Sequence, residues 1–398
     1  MASQLLLTYD FPPIGGGISR WMGELARHYP AGSLIVSTGF HPESALIDGQ
    51  FLNRVDRLST RAKRLRTIQG IVRWSRRAAA LARSADIEFS WCGNLKPAGY
   101  PARWLAARMG IPYGIMVHGG DLLIMQQQIV RSRHKRRTTR ALLQSASVIV
   151  SNSGWTADLC RSFLRTLGLE SVVSRLRVVP LGSDPEHFRP GLNQVEVRRR
   201  HGLNGRRWLM TVARLTPHKG IDMGLRVLAE LRDSYPDLGY LVVGFGNQLD
   251  ELQTMARDLG IADRVRFLTQ VPDSDLPALY NCAEIYLGLS RATQHNVEGF
   301  GISLVEAGAC GIPVVAGRSG GIPDAVHDAA TGLLVNSEQS AQVSSAVRSL
   351  LDNTALASQL GAGGRRAVES YYNWQRVAKD LFTLGHEFSN AAGLKVKG

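Results

Sequence analysis

The chain is 398 residues long, 44% hydrophobic and 20% charged, with a mean hydropathy of −0.08. That composition excludes a disordered or membrane-embedded chain and suits two α/β domains of about 150–200 residues each. The formal net charge of +14 is uneven, since residues 1–190 hold 26 Lys and Arg against 12 Asp and Glu while the remainder balances at 21 of each.

In chain order, the N-terminal MASQLLLTYDFPP lacks a basic leader region, and its apolar run QLLLTY (4–9) reads as a strand, so no signal peptide is expected. No later apolar run approaches the roughly 18–20 residues of a bilayer span. Gly15, Gly16 and Gly17 follow the first strand and precede the helical pattern ISRWMGELARHY. Three glycines permit close backbone approach to a ligand, and they also suit a tight βα turn. After the strand-like SLIVST (33–38) comes RVDRLSTRAKRLRTIQGIVRWSRRAAALARS (54–84), in which Leu58, Leu65, Ile68, Ile71, Val72 and Trp74 interleave with arginines. That basic amphipathic pattern fits an anionic membrane surface, as does RSRHKRRTTR (131–140); the plainer alternative is a solvated basic face. Nucleic acid is the other partner such charge suits, but no helix-turn-helix, zinc or RNA-binding signature occurs and aromatics are only 7%, so none is expected.

Strand-like runs continue at IEFSWC (87–92), YGIMVH (113–118), SVIVSN (147–152) and RLRVVP (175–180). His118 ends one of them and is followed by two glycines. Pro, Gly and Asp cluster in LGSDPEHFRPGLN (181–193), which marks a boundary between domains at 1–185 and 186–372. The second half repeats the alternation at 208–215, 240–245, 264–269, 284–290, 313–317 and 332–335, and the chain ends in the helical pattern NWQRVAKDLFTLGHEF (373–388). Regular strand–helix alternation predicts two doubly wound α/β domains with parallel sheets. Cys92, Cys160, Cys282 and Cys310 are scattered without metal-ligand spacing and read as reduced core thiols of a cytosolic protein.

The chemistry concentrates in the second half. Arg214 and Lys219 fall where the run WLMTVARL gives way to THE loop Thr216–Gly220 and a helix, the place where open α/β sheets bind ligands. A guanidinium fork and a mobile ammonium together suit a diphosphate. Farther on, EGFGISLVE sets Glu298 and Glu306 eight residues apart around a glycine turn, and the helix expected from Phe300–Ile302 is stopped by Gly311 and Pro313. Its N-terminus suits a phosphate, and the two carboxylates suit the hydroxyls of two sugars. Asp273-Ser274-Asp275 spells a possible cation motif, but its place before LPALYN reads more simply as a helix N-cap. Gly244-Phe-Gly246 is a partial dinucleotide motif without its third glycine.

Taken together, DFPPIGGG, VHGGD, SNSGWT, VVPLGSD, ARLTPHKG, VVGFGN, E-x7-E and SGGIPDAV resemble, in order and spacing, the retaining nucleotide-sugar glycosyltransferases of family four. The resemblance spans nearly the whole chain and implies the GT-B fold, two Rossmann-like domains facing each other across a cleft that holds the active site, with the last helix (373–398) crossing back to the first domain. It assigns His118, Arg214, Lys219 and Glu298 to catalysis. Gly16, Gly17, Gly244, Val271, Phe300, Gly301, Ile302, Ser303, Val305 and Glu306 are assigned to the donor, with the base near Thr269–Asp275. Gly15, Asp121 and Ser153 fall on the acceptor and phosphate side. No cofactor or metal is implied, because cations and a helix terminus take over the metal's role. Transfer with retention is implied, the departing phosphate taking the acceptor's proton. Residues 295–326 look similar to enzymes that carry mannose from GDP-mannose to lipid acceptors, a UDP-sugar being the alternative donor. A lipid-linked or saccharide acceptor and a cytoplasmic, peripheral location at the inner face of the membrane follow. Three rival readings are a nucleotide-sugar epimerase on the same fold, a pyridoxal-phosphate phosphorylase, and a non-enzymatic basic protein that docks on membranes or nucleic acid.

Overall fold

The computed structural model describes residues 3–293 and 296–396; His295 of the donor segment lies outside them. The chain forms two compact units, Met1–Leu181 with Trp374–Gly398, and Gly182–Asn373.

The first unit is built on seven parallel strands: β1 (Ser3–Leu7), β2 (Leu34–Phe40), β3 (Arg54–Arg61), β4 (Ile87–Cys92), β5 (Tyr113–Val117), β6 (Val148–Ser151) and β7 (Leu176–Val178). They lie in the order β3-β2-β1-β4-β5-β6-β7, so the order reverses between β1 and β4. Helices cover a parallel sheet on both faces, which is why β1, β5 and β6 are buried throughout and mostly apolar rather than alternating. The second unit repeats the plan with β8 (Arg207–Val212), β9 (Leu238–Val243), β10 (Val265–Leu268), β11 (Ala283–Gly288), β12 (Val314–Gly317) and β13 (Leu333–Val335), in the order β10-β9-β8-β11-β12-β13. Its reversal falls between β8 and β11. Both are doubly wound sheets of the Rossmann kind.

The arginine-rich stretch 54–84 departs from the sequence reading. It is not one amphipathic surface but the edge strand β3, a short 3-10 turn (Ala62–Arg66) and the helix Ile68–Ser84. Leu58, Leu65 and Trp74 are core residues, whereas Ile68 is 82% exposed and Val72 43%. The reason lies in the period-two run Val55–Leu58, which puts Asp56 and Leu58 inward, where Asp56 takes a two-pronged ion pair from Arg77. The helix starts at Thr67, whose hydroxyl accepts from Gly70 N at 3.1 Å, and it drives Trp74 into the core, where the indole donates to Ser37 Oγ at 3.0 Å.

The final helix, Trp374–Val396, packs within the first unit. Gln4 Nε2 donates to the Phe382 carbonyl at 3.0 Å, the Phe382 ring meets Tyr29 edge-on, and a Cβ at Gly385 would strike the Gln4 amide. All four cysteines are buried and unpaired.

In the second unit the helix Ile302–Ala309 crosses Thr354–Ser370 at two glycines, where a Cβ on Gly364 would come within 3.0 Å of Gly308 Cα. This crossing fixes a helix that the site depends on. Gly364→Val should cost about 1–3 kcal/mol by overpacking and lower the melting temperature by several degrees, roughly 2–4 °C per kcal/mol for a unit of this size. A thermal unfolding curve that matches the wild type would show that the two helices yield freely.

Candidate functional site

In the second unit the strand order reverses between β8 and β11, and the loops after those two strands carry the charged centre. Lys219 comes from the first and Glu298 from the second, and the Lys219 ammonium and Glu298 carboxylate form a close ion pair with side chains only 16% and 20% exposed. Ser290, just beyond β11, donates to the same carboxylate oxygen at 3.3 Å. Burial works to raise the Glu298 carboxyl, but Lys219, by charge and hydrogen bond, with the Ser290 hydroxyl, outweighs it and holds the group below the ordinary glutamate range.

The Lys219 loop is tightly framed. Gly220 sits at φ 69, and a Cβ there would collide with the Leu289 carbonyl, so the position suits only glycine. Arg291 bridges both Asp222 oxygens at 3.0 Å, and its backbone N–H donates to the His218 carbonyl at 2.8 Å. The Asp222–Arg291 pair therefore ties the first helical turn after β8 to the segment after β11. His218 is buried, with Nδ1 3.2 Å from Thr216 Oγ1, and burial, reinforced by Lys219, pushes its imidazole down to about 4. Arg214 is exposed one turn upstream, and among the described residues no carboxylate pairs with it.

Past Glu298 the chain turns through Gly301 (φ 100) into the helix Ile302–Ala309, where Leu304 N donates to the Gly301 carbonyl at 3.0 Å and the N–H groups of Ile302 and Ser303 lie ahead of the helix's own acceptors. The Glu298 carbonyl accepts from Gly321 N at 2.9 Å, so the SGGIP loop braces the approach to this helix. Glu306 is only 3% exposed, and Tyr280 Oη donates to its Oε2 at 2.7 Å. Ile302 and Ser303 are half-buried at the helix start. The other assigned side chains face inward: Phe300 packs against Tyr372, and Val305 lies beneath the crossing helix. Gly244 (φ 137) and Gly246 let the loop after β9 pack onto Ala213–Leu215, since a Cβ on either would strike a carbonyl there. Val271 is half-buried in the loop after β10. Asp275 does stand at the N-cap position of Leu276–Asn281, but its backbone is α-helical and its carboxylate takes Arg200 at 2.6 Å instead of capping. Among the described residues no three His, Cys, Asp or Glu side chains converge as a metal site.

In the first unit the corresponding reversal lies between β1 and β4. Gly15, Gly16 and Gly17 are exposed in the loop after β1, with Gly16 at φ 126 opening the helix Gly17–His28. His118, beyond β5, is buried edge-on against Trp21, and its Nε2 donates to the Gly93 carbonyl at 2.7 Å, which fixes the tautomer. Asp121 Oδ1 accepts from His118 N and Leu122 N at 3.0 and 2.9 Å, so it holds that turn. Ser153 is wholly buried as an N-cap, its hydroxyl bonded to Thr156 N and Oγ1 at 3.0 Å. It therefore frames the helix Gly154–Thr166. Two residues absent from the sequence reading join His118: Asp10, whose carboxyl is raised by burial, and Asn94, whose amide donates to it at 3.4 Å. Asp222, Ser290, Arg291 and Tyr280 are likewise new. For Asp222, Ser290 and Arg291 the one sequence signal is position, in the first helical turn after β8 or just beyond β11; Tyr280 carries none.

Two outcomes follow. His218 stays neutral in the folded chain down to about pH 4, so below pH 6.5 the unfolded state binds a proton that the folded state refuses. Stability therefore falls from pH 6.5 toward 4, and His218→Asn should flatten that fall in urea unfolding midpoints; equal slopes would refute the assignment. Asp222→Asn should loosen the Lys219 loop and raise amide hydrogen exchange across residues 216–222 about ten-fold, with less effect on the unfolding midpoint than Gly220→Val.

Known proteins resemble this chain both in sequence and in fold. The profile described as Glycosyl transferases group 1 matches residues 193–367. The GDP-mannose-dependent alpha-(1-6)-phosphatidylinositol monomannoside mannosyltransferase of Mycolicibacterium smegmatis is 32% identical over 390 residues, 96% of this chain and 97% of its own; that of Mycobacterium tuberculosis is 30% identical over 394 residues with the same coverage. In fold, Anabaena HepE in complex with UDP and glucose is similar, with a TM-score of 0.77 at 19% identity over 96% of this chain and 99% of its own. Sucrose-phosphate synthase from Thermosynechococcus elongatus gives 0.76 at 20% over 98% and 100%. With a full-length relative above 30% identity and two doubly wound sheets of the GT-B kind, this chain belongs to the group 1 glycosyl transferases and is a glycosyltransferase.

Proposed function

We propose that this protein transfers mannose from GDP-mannose to a phosphatidylinositol mannoside or similar lipid-linked acceptor, with retention at the sugar and without a metal ion. The observation that carries the reading is the Lys219–Glu298 pair at the reversal point of the second sheet, joined by full-length likeness to mannosyltransferases of that donor and acceptor. Lys219 and the exposed Arg214 neutralise the leaving diphosphate, aided by the N-terminus of Ile302–Ala309. Cations already placed there do the work a divalent metal does elsewhere.

Glu298, held ionised, accepts hydrogen bonds from the donor sugar's hydroxyls. Glu306, oriented by Tyr280, takes the ribose hydroxyls. In the first unit His118, with its ring fixed on Gly93, contacts the transferred sugar, while Asp10 and the glycine loop Gly15–Gly17 serve the acceptor. Both glutamates are occupied with hydroxyls and cations, so neither is the nucleophile a double displacement needs. With retention, as the family resemblance implies, the acceptor attacks on the same face, and the departing phosphate oxygen receives its proton.

The basic first half docks on an anionic membrane at its inner face, and no helix among the described residues is long and apolar enough to cross one. A titration of GDP-mannose, UDP-glucose, UDP-galactose and UDP-N-acetylglucosamine with and without EDTA tests the donor and the metal together. Selective binding of GDP-mannose, unchanged by EDTA, is expected; preference for a UDP-sugar or loss of transfer in EDTA would overturn the respective part. Lys219→Ala and Glu298→Gln should each lower kcat by at least about a hundred-fold while the fold persists. Full transfer by either variant would refute the site, and consumption of donor without acceptor would favour an epimerase.

A further inference from the structure

A groove of about 250 Å³ runs between the helices Gly99–Met109 and Arg133–Ser145 of the first unit. Tyr100, Trp104, Ala107 and Ala141 line it, together with Arg103 and Arg108. The two helices touch at Gly99, where a Cβ would lie 3.2 Å from Leu142 Cδ1, and the small side chains of Ala107 and Ala141 keep the space beside Trp104 open. Trp104 is 38% exposed, whereas Trp21, Trp74, Trp91, Trp208 and Trp374 are each under 2%. The helical rise makes the step from Tyr100 to Arg108 about 12 Å. We propose that this groove seats an acyl chain of an anionic lipid, with Arg103 and Arg108 holding the headgroup charge.

Charge is the first argument. Residues 89–157 contain nine Lys and Arg and a single acid, Asp121, and neither groove helix carries an acidic residue. Behind the groove Lys96 donates to Thr138 Oγ1 and Thr139 Oγ1 at 3.1 and 2.7 Å, and no carboxylate approaches it among the described residues. A free phosphate would use these cations but leave the apolar slot empty, and a neutral hydrocarbon would do the reverse. An amphiphile with an anionic head uses both.

Size and lining are the second argument. A slot one helix face wide is far smaller than the roughly 800 Å² per partner of a stable protein interface. Tyr and Trp beside arginines whose stems lie along apolar surface are the side chains that settle at a lipid–water boundary. The proposal rests on the reading above that this chain works at an anionic membrane, and adds where a lipid tail enters it.

The test uses the full chain with vesicles of phosphatidylcholine and phosphatidylglycerol, the latter brominated in its acyl chains, bromine being a contact quencher of tryptophan. Wild-type fluorescence should be quenched and Trp104→Phe should lose most of that quenching. Ala107→Glu, which sets a charge in the slot at an exposed position, should weaken co-sedimentation about ten-fold. The double variant Arg133→Glu/Arg137→Glu reports on surface charge alone. If it abolishes binding while Ala107→Glu binds and is quenched like the wild type, the membrane reading stands and the groove is refuted. If the wild type binds no anionic vesicle, both fall. Quenching that survives Trp104→Phe overturns the groove as well.

Discussion

The Lys219–Glu298 ion pair is the interaction on which the second unit's site depends. Its members lie 79 residues apart in sequence and meet only because β8 and β11 are neighbours where the sheet reverses its winding. Lys219, by charge and hydrogen bond, keeps the Glu298 carboxyl below its ordinary range against the burial that would raise it. The pairing sets a cation and a carboxylate side by side, the two charges that the proposed function assigns to the diphosphate and to the sugar hydroxyls. On that proposal, ligand binding exchanges partners instead of creating charge.

Everything around the pair serves to fix two loops against each other. Asp222 and Arg291 bridge them by side chain, His218 and Arg291 bridge them by backbone, and Gly220 permits the contact with Leu289. Gly301 and the SGGIP loop then aim the helix Ile302–Ala309, and the glycine contact with Thr354–Ser370 sets its height. Glycines matter here where backbones touch, not where chain flexibility is needed. The neutral His218 fits this scheme, since a second cation beside Lys219 would repel it and compete for Glu298.

Much of the architecture was legible in the residues. The apolar runs of β1, β5, β8 and β9 are buried on both faces, so their composition alone marks them as strands. The stretch 54–84 misled because an edge strand rich in arginine and a half-buried helix together imitate a single amphipathic surface; only pairing with β2 and the contacts of Asp56 and Trp74 separate them. Ser153 and Asp275 show the same limit at the scale of one side chain. Both occupy positions a pattern can find, yet one hydroxyl is spent on a cap and one carboxylate on Arg200.

By itself the sequence determined the alternation of strands and helices, the positions of Arg214, Lys219, Glu298 and Glu306, and the excess of positive charge in the first half, because these depend on local periodicity and residue type. The tertiary structure decided which of them meet. It joined Lys219 to Glu298, brought Tyr280 to Glu306, turned Phe300 and Val305 inward, and set Asp10 and Asn94 beside one another. Those outcomes follow from strand order and helix packing, which act between residues tens of positions apart and leave no periodic trace along the chain.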